Sequence, residues 1–317
     1  MTLPWAALLD ALKRADLLVS APRVEPRGIT SLTADSRAVT PGAVYLAIRG
    51  SQADGHRFVA DAASRGAVAA VVEAAQDASL PQVVVRDGRR AAVVLARAWY
   101  GDPAARLTLA GITGTNGKTT TTALLRHLLN ERGTAGSIGT LGAFDGEGQP
   151  VESTAGSLTT PGPVDLQATF AALAARGVET VAMETSSHSL DQGRLDGLTF
   201  QAGVFTNLTR DHLDYHGTME AYLAAKLRLL RLLATDGAAV VNIDDSAWRV
   251  VPAGTRTISF GLAPDADVRA TGLHLGASGS DFRIEGCFGA ADVRLPLLGD
   301  FNVSNALAAA AAALALG

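Results

Sequence analysis

Apolar and polar positions are patterned in three ways along this chain. Up to about Leu107, short apolar runs (Val44–Ile48, Ala67–Val72, Gln82–Val85) alternate with stretches of helical spacing (Arg57–Ser64, Arg89–Trp99), which predicts a small α/β unit. Tyr100-Gly101-Asp102-Pro103 supplies turn residues after the last of these helices. A domain boundary is expected there, between an N-terminal domain over 1–106 and a central domain over 107–317.

From Leu107 the order becomes strand (Leu107–Thr113), glycine loop, helix (Lys118–Glu131), strand (Ala135–Ile138), helix (Val164–Arg176), strand (Glu179–Met183), strand (Gln201–Thr206), helix (Met219–Ala234) and strand (Ala238–Ile243). Such alternation predicts a mostly parallel sheet covered on both faces. After Thr255, short alternating runs (Arg256–Phe260, Val268–Leu275, Asp281–Glu285, Asp292–Leu295) with Gly-rich turns predict a small antiparallel extension. A last helix is expected from near Asn302. Its apolar run, Ala306–Leu316, falls short of the roughly 20 residues needed to span a bilayer and reads as a buried Ala-rich helix. Leu3–Leu9 has no basic residue before it and is followed by Asp10, Lys13 and Arg14, the pattern of an amphipathic helix rather than a signal peptide.

Composition narrows the function. At 317 residues two domains are expected, and 48% hydrophobic against 18% charged residues suffices for packed cores. Twenty-seven Lys plus Arg against thirty-one Asp plus Glu leave a net charge of −4, so no broad basic field is available to hold nucleic acid, and any phosphate must be captured locally. Cys287 is alone, which excludes an intramolecular disulfide and a Cys-based zinc cluster and fits a reducing, cytoplasmic location. No membrane or nucleic-acid partner is expected, and the chain is expected to be a monomer.

The most informative segment is Gly111-Ile-Thr-Gly114-Thr115-Asn116-Gly117-Lys118-Thr119-Thr120, at the end of an apolar strand and the start of a helix. Glycines let successive N–H groups point into one concavity, the helix presents its positive end, and Lys118 adds a full charge beside a phosphate, with the Thr119 hydroxyl facing a phosphate-bound Mg²⁺. The strict G-x-x-x-x-G-K-[ST] spacing is missed, because Ile112 stands where its first glycine would be. An ordinary Gly-rich turn would not explain the Gly-Lys-Thr ending at a helix start.

Further acids and bases fall at strand ends. Glu184 follows an apolar strand and is delivered to the carboxyl edge of the sheet, where it can hold Mg²⁺ directly or through water; alone it would read as a solvated loop acid. His188 reads equally as packing or as site. The exit loop Thr206–Gly217 gathers Asp211, His212, Asp214 and His216, yet lacks the H-E-x-x-H spacing of a zinc hydrolase. Lys226, on a helix among small and apolar residues, reads as solvated or snorkelling; if desolvated, its pKa would fall and its neutral amine could take up CO₂ as a carbamate.

The loop Gly111–Thr120, Thr159-Thr160-Pro161, Met183-Glu184-Thr185-Ser186-Ser187-His188-Ser189-Leu190 with Gln192 and Arg194, Asp211-His212-Leu213-Asp214-Tyr215-His216-Gly217, Lys226 and Gly299–Ala306 resemble the Mur ligases of peptidoglycan synthesis. The resemblance is strongest to the branch that adds the third residue, a diamino acid, and it extends to Asp35-Ser36-Arg37, Pro41–Ala47 and Gly50–His56 in the N-terminal region. It implies a UDP-binding N-terminal domain and a P-loop ATPase-like central domain. The implied activity passes the γ-phosphoryl group of ATP to the D-Glu carboxylate of UDP-MurNAc-L-Ala-D-Glu, giving an acylphosphate that meso-diaminopimelate or L-lysine attacks.

By the same resemblance, Gly114, Thr115, Asn116, Gly117, Lys118, Thr119 and Thr120 hold the phosphates of ATP, and Asn302 and Asn305 lie near its adenine. Thr119, Glu184 and His212 organise one Mg²⁺, and a carbamylated Lys226 serves a second. Thr159, Thr160, Ser186, Gln192 and Arg194 hold the muramoyl-peptide, while Ser36, Ser51, Gln52 and Ala53 meet the uridine. Members of that family carry a third, C-terminal domain that closes over ATP, so the expectation for this chain is UDP-substrate binding, weakened ATP binding and slow or absent ligation. Two competing readings are another ATP-dependent amide ligase such as folylpolyglutamate synthase, which the uridine-domain motifs oppose, and an ATP-binding module that does not ligate.

Overall fold

The structure, a computed structural model, describes residues 3–50, 53–131, 133–152 and 158–317. Two compact units emerge: one made of residues 1–103, 161–171 and 192–196, the other of 104–160, 172–191 and 197–317.

In the first unit the elements run α1 (Trp5–Arg14), β1 (Leu18–Ser20), β2 (Ser31–Thr33), β3 (Ala43–Leu46), α2 (Val59–Ser64), β4 (Ala69–Val72), β5 (Gln82–Val85) and α3 (Gly88–Tyr100). The sheet order is β1-β5-β4-β3-β2, parallel except for β1, which pairs antiparallel with β5. The apolar stripe of α1, Trp5, Leu8, Ala11 and Leu12, is buried, as amphipathic spacing dictates. It packs in one core with Val44, Val71, Val83, Leu95 and Trp99. Gly101, in the left-handed region at φ 71°, terminates α3 and sends its N–H to the Arg97 carbonyl.

The second unit contains β6 (Thr108–Thr113), α4 (Lys118–Leu129), β7 (Ala135–Gly139), β8 (Gly142–Phe144), β9 (Pro150–Val151), α5 (Pro163–Ala175, shared between the two units), β10 (Thr180–Glu184), α6 (Ser187–Asp191) and β11 (Phe200–Phe205). It continues with α7 (Leu213–His216), α8 (Met219–Leu227), β12 (Leu233–Asn242), β13 (Thr257–Gly261), β14 (Val268–Gly276), β15 (Gly279–Gly286), β16 (Gly289–Leu295) and α9 (Asp300–Leu316). Its sheet order is β16-β15-β14-β13-β12-β11-β6-β10-β7-β8-β9. Strands β7, β10, β6, β11, β12 and β13 are mutually parallel, so their carboxyl ends share one edge. One face is closed by α4 and α9: Leu125, Val303, Leu307 and a run of buried alanines pack on Ile112, Ala182 and Val204. Alanines let α9 lie close to the sheet, and this is the buried helix its composition indicated. Among the described residues no helix is long and apolar enough to cross a membrane.

The short strands β1, β2, β8 and β9 and the short helices α6 and α7 lie outside the sequence reading, and two further elements differ from it in extent or strand sense. The helix expected over Met219–Ala234 stops at Leu227, Arg228–Leu232 form a tighter 3₁₀ turn, and Leu233 opens β12. Leucines at 227, 229, 230, 232 and 233 are apolar on every side, so periodicity carries no stop signal there. The run Arg256–Phe260 joins the parallel sheet, because the segment after β12 crosses back through a turn that buries Trp248 against Phe205; the antiparallel extension begins with the β14–β15 pair. Alternation alone does not distinguish the two strand senses.

Candidate active site

Strand β6 delivers the glycine loop to the shared carboxyl edge. Ile112, where the strict motif has glycine, is fully buried in β6 and pairs in register with Glu184 of β10. The turn is made two residues later by Gly114, at φ 146°, where an added Cβ would collide with Thr206 Oγ1. Thr206 and Asn207, at the exit of β11, then hold the loop: Thr206 Oγ1 donates to the Asn116 carbonyl at 2.7 Å, and the Asn116 N–H donates to Asn207 Oδ1 at 2.9 Å. Thr115 is buried and its hydroxyl accepts from the Thr209 N–H at 2.9 Å, so its side chain shapes the loop while its backbone stays part of the cradle. Thr206, Asn207 and Thr209 were not singled out from sequence; no local pattern links residues some ninety positions apart in the chain.

The loop runs into α4, whose N-cap Gly117 offers no side-chain cap, leaving the first helical N–H groups for an anion. Lys118 Nζ donates to the carbonyls of Gly114 and Thr115 at 3.0 and 2.8 Å, and burial holds its pKa below the ordinary lysine value. Thr120 is half-buried on the first turn. Asn305 of α9 stands behind Gly117, where an added Cβ would strike its Oδ1; its Nδ2 donates to Asn302 Oδ1 at 3.1 Å. Asn305 therefore backs the loop, with its amide held by Asn302.

Glu184 is 1% exposed and collects three donors: Thr119 Oγ1 at 2.9 Å, the Thr140 N–H at 2.9 Å and Thr140 Oγ1 at 3.1 Å. Thr140, at the exit of β7, is a site residue that sequence reasoning missed. With its proton directed at Glu184, the Thr140 hydroxyl accepts from Thr159 Oγ1 at 3.2 Å. Thr160 donates to the Glu184 carbonyl at 2.9 Å and its hydroxyl accepts from the Ser186 N–H at 3.1 Å, so Thr159, Thr160 and Ser186 converge on the Glu184 strand end.

Lys226 is not solvated: its side chain is 1% exposed, Nζ donates to the Gly114 carbonyl at 2.7 Å, and the Tyr222 ring centroid lies 4.3 Å away. Burial, then the Lys118 charge, pulls its pKa down to about 6. His212, in the left-handed region at φ 51°, is exposed and packs edge-on against His188, which also meets the rings of Tyr215 and His216. His216 Nε2 lies 3.0 Å from Ser187 Oγ, and burial lowers its pKa. Among the described residues no three His, Cys, Asp or Glu side chains cluster as a metal site of their own. The Thr119 hydroxyl and Glu184 carboxylate are hard oxygen donors that suit Mg²⁺ completed by phosphate and water.

The first unit holds the remaining candidates. Ser36 is buried in a short 3₁₀ turn capped by Asp35, and Ala53 is exposed. Ser51 and Gln52 lie outside the described residues. Gln192 and Arg194 pair with each other, Arg194 Nε donating to Gln192 Oε1 at 2.9 Å.

Two family descriptions match this chain: "Mur ligase family, catalytic domain" over residues 28–106 and "Mur ligase middle domain" over residues 112–313. The chain belongs to the Mur ligase family. A UDP-N-acetylmuramoyl-L-alanyl-D-glutamate–2,6-diaminopimelate ligase of Geobacillus kaustophilus is 43% identical over 298 residues, covering 91% of this chain and 60% of the relative. The ligase of the same name from Alkalilimnicola ehrlichii is 42% identical over 335 residues, covering 99% and 64%. A solved structure of a ligase of that name superposes with a TM-score of 0.73 at 31% identity, over 90% of this chain and 59% of that one. The chain thus spans roughly three fifths of the length of these Mur ligase relatives.

Proposed function

We propose that this chain carries the UDP-substrate and ATP sites of a ligase that joins a diamino acid, meso-diaminopimelate or L-lysine, to UDP-MurNAc-L-Ala-D-Glu through an acylphosphate. The observation that carries this reading is the meeting of Lys118, Lys226 and the Glu184–Thr119 pair at one glycine loop. A carboxylate is a poor acyl donor until its oxygen bears a phosphoryl leaving group. That transfer asks the protein chiefly for positioning and charge neutralisation.

In this reading the loop amides of 114–120 and Lys118 grip the triphosphate, whose charge offsets the burial that weakens the lysine's proton affinity. Asn302 and Asn305 support the loop toward the adenine side. Thr159, Thr160 and Ser186 orient the D-Glu carboxylate, and Gln192 and Arg194 bind the muramoyl-peptide. Ser36, Ser51, Gln52 and Ala53 take the uridine. Thr119, Glu184 and His212 would hold Mg²⁺, with a second ion on the Lys226 carbamate, and the ions' positive charge would neutralise the transferring phosphoryl group. The amine of Lys226, neutral above about pH 6, adds to CO₂ with loss of one proton to give that carbamate. The reading places the protein in the cytoplasm, as a monomer, where its soluble nucleotide substrates are.

Calorimetry with UDP-MurNAc-L-Ala-D-Glu, and separately with Mg·AMPPNP, tests the two sites. Acid-quenched ADP release with and without the UDP-substrate tests their coupling. Binding of both, and ADP release that rises with the UDP-substrate, is expected. No binding of either compound would overturn the reading, whereas ADP release indifferent to the UDP-substrate would favour an ATP-binding module that does not ligate.

A further inference from the structure

Residues 206–209, between the end of β11 and the loop that carries His212, belong to no helix or strand, yet their backbone is bonded on two sides. On one side lies the glycine loop: the Asn207 carbonyl accepts from the Thr115 N–H at 2.8 Å, and the Thr209 N–H donates to Thr115 Oγ1 at 2.9 Å. On the other lies the exit of β12. There the Thr206 carbonyl accepts from Asn242 Nδ2 at 2.8 Å, and the Leu208 N–H donates to Asp245 Oδ2 at 2.7 Å. A strand inside a parallel sheet offers one carbonyl and the N–H two residues later to one neighbour, and the next such pair to the other. Residues 206–209 keep that alternation although β12 ends at Asn242, because the side chains of Asn242 and Asp245 supply the rungs that its backbone no longer does.

Both side chains are themselves fixed. Asn242 is buried, and its Oδ1 accepts from the Asp244 N–H at 3.1 Å. Asp245 Oδ1 accepts from the Ala247 N–H at 2.9 Å and so caps the 3₁₀ turn Ser246–Val250, whose Trp248 is buried and packs on Phe205 with ring centroids 5.3 Å apart. The Asp245 carboxylate thus takes two backbone N–H bonds, which its charge strengthens. Neither residue has a part in the chemistry above. We infer that Asp245 and Asn242 are positioning residues for the phosphate site: they hold segment 206–209, and that segment holds the backbone of Thr115 and Asn116 from which the cradle is built. This rests on the phosphate role proposed above for the glycine loop.

The test is calorimetry of the full chain with Mg·AMPPNP, together with amide hydrogen exchange in the absence of nucleotide. Asp245→Ala is expected to weaken AMPPNP by about tenfold or more, as a misplaced cradle does, and to speed exchange at the Thr115 and Asn116 N–H groups while leaving β15 and β16 unchanged. Asn242→Ala, which removes one neutral bond, gives a smaller loss. Asp245→Asn, whose amide oxygen can still accept from the Leu208 N–H, recovers part of the loss and serves if Asp245→Ala does not fold. Asn207→Ala removes the segment's own grip on Asn116. Combined with Asp245→Ala it should bind AMPPNP about as weakly as the worse single variant, because both act through one segment. Losses that multiply would mark general destabilisation and overturn the inference. So would unchanged AMPPNP affinity, or unchanged exchange at Thr115 and Asn116, in a folded Asp245 variant. Wild-type chain that does not bind AMPPNP would instead sink the phosphate reading itself.

Discussion

Lys118 and Lys226 donate to the same backbone oxygen, that of Gly114, at 3.0 and 2.7 Å. Two full positive charges on one buried carbonyl repel, and burial penalises each, so the deeper lysine gives up its proton first. With a folded pKa of about 6 against the ordinary 10.5, Lys226 is neutral in the folded chain and charged in the unfolded chain throughout that interval. Unfolding there takes up a proton, so the folded state gains about 1.4 kcal/mol per pH unit from this group as pH rises from about 6 toward 10.5. Below about 6 both states are protonated and the full cost of burying the charge remains. Denaturant unfolding in CO₂-free buffer at pH 6.5 and 8.5 should show the wild type gaining stability relative to Lys226→Met by a few kcal/mol; parallel curves would mean that the amine is not desolvated.

Glu184 is held by three donors, two of them from Thr140, so its carboxylate is fixed before any ligand arrives. Glu184→Gln keeps the shape and removes the charge. Hydrogen bonds to a charged group contribute about 1.5–3 kcal/mol, so Mg·AMPPNP affinity should fall roughly ten- to a hundredfold, while affinity for AMPPNP in EDTA stays nearly unchanged. Equal losses with and without Mg²⁺ would place Glu184 in the support of the loop rather than at the ion.

Gly114→Ala brings a Cβ onto Thr206 Oγ1 in a backbone region that L-residues rarely adopt. Overpacking of this kind costs about 1–3 kcal/mol, and strain at such a φ adds to it. Thr206→Ala removes the colliding oxygen but also its bond to the Asn116 carbonyl, so each single change destabilises the chain. The double variant should be less destabilised than the sum of the two by about 1 kcal/mol, which thermal or urea unfolding of the four proteins reads directly. Strict additivity would mean that the two positions do not touch.

These contacts mark how far the sequence can be read. Gly117-Lys118-Thr119 after an apolar strand was enough to place a glycine turn and a helix start at a sheet edge, because local geometry alone builds that arrangement. The missing first glycine misleads only if spacing is counted rigidly: Ile112 belongs to the buried strand, and Gly114 makes the turn. Glu184 was legible as the end of an apolar run. Thr140, Thr206 and Asn207 were not, since each acts through a partner brought near by strand order. Lys226 could be read either as snorkelling or as desolvated; its contact with the Gly114 carbonyl, more than a hundred positions away in the chain, is a tertiary fact, and with it the amine lies buried.

On the proposed reading, the lowered proton affinity of Lys118 and Lys226 would also link ATP binding to protons. A triphosphate beside both amines favours their charged forms, so their pKa values rise when nucleotide binds and protons are taken up. Lys226, at about 6 when unliganded, dominates this uptake near neutral pH, and Lys118 contributes as pH climbs toward its own lowered value. Calorimetry of AMPPNP binding in CO₂-free buffers of different ionisation enthalpy should show net proton uptake at pH 7.5, reduced in Lys226→Met and restored at higher pH through Lys118. Added bicarbonate should diminish the uptake in the wild type alone, because an amine held as a carbamate has no proton to gain. Uptake that ignores both bicarbonate and the Lys226→Met change would show that the triphosphate does not sense this lysine.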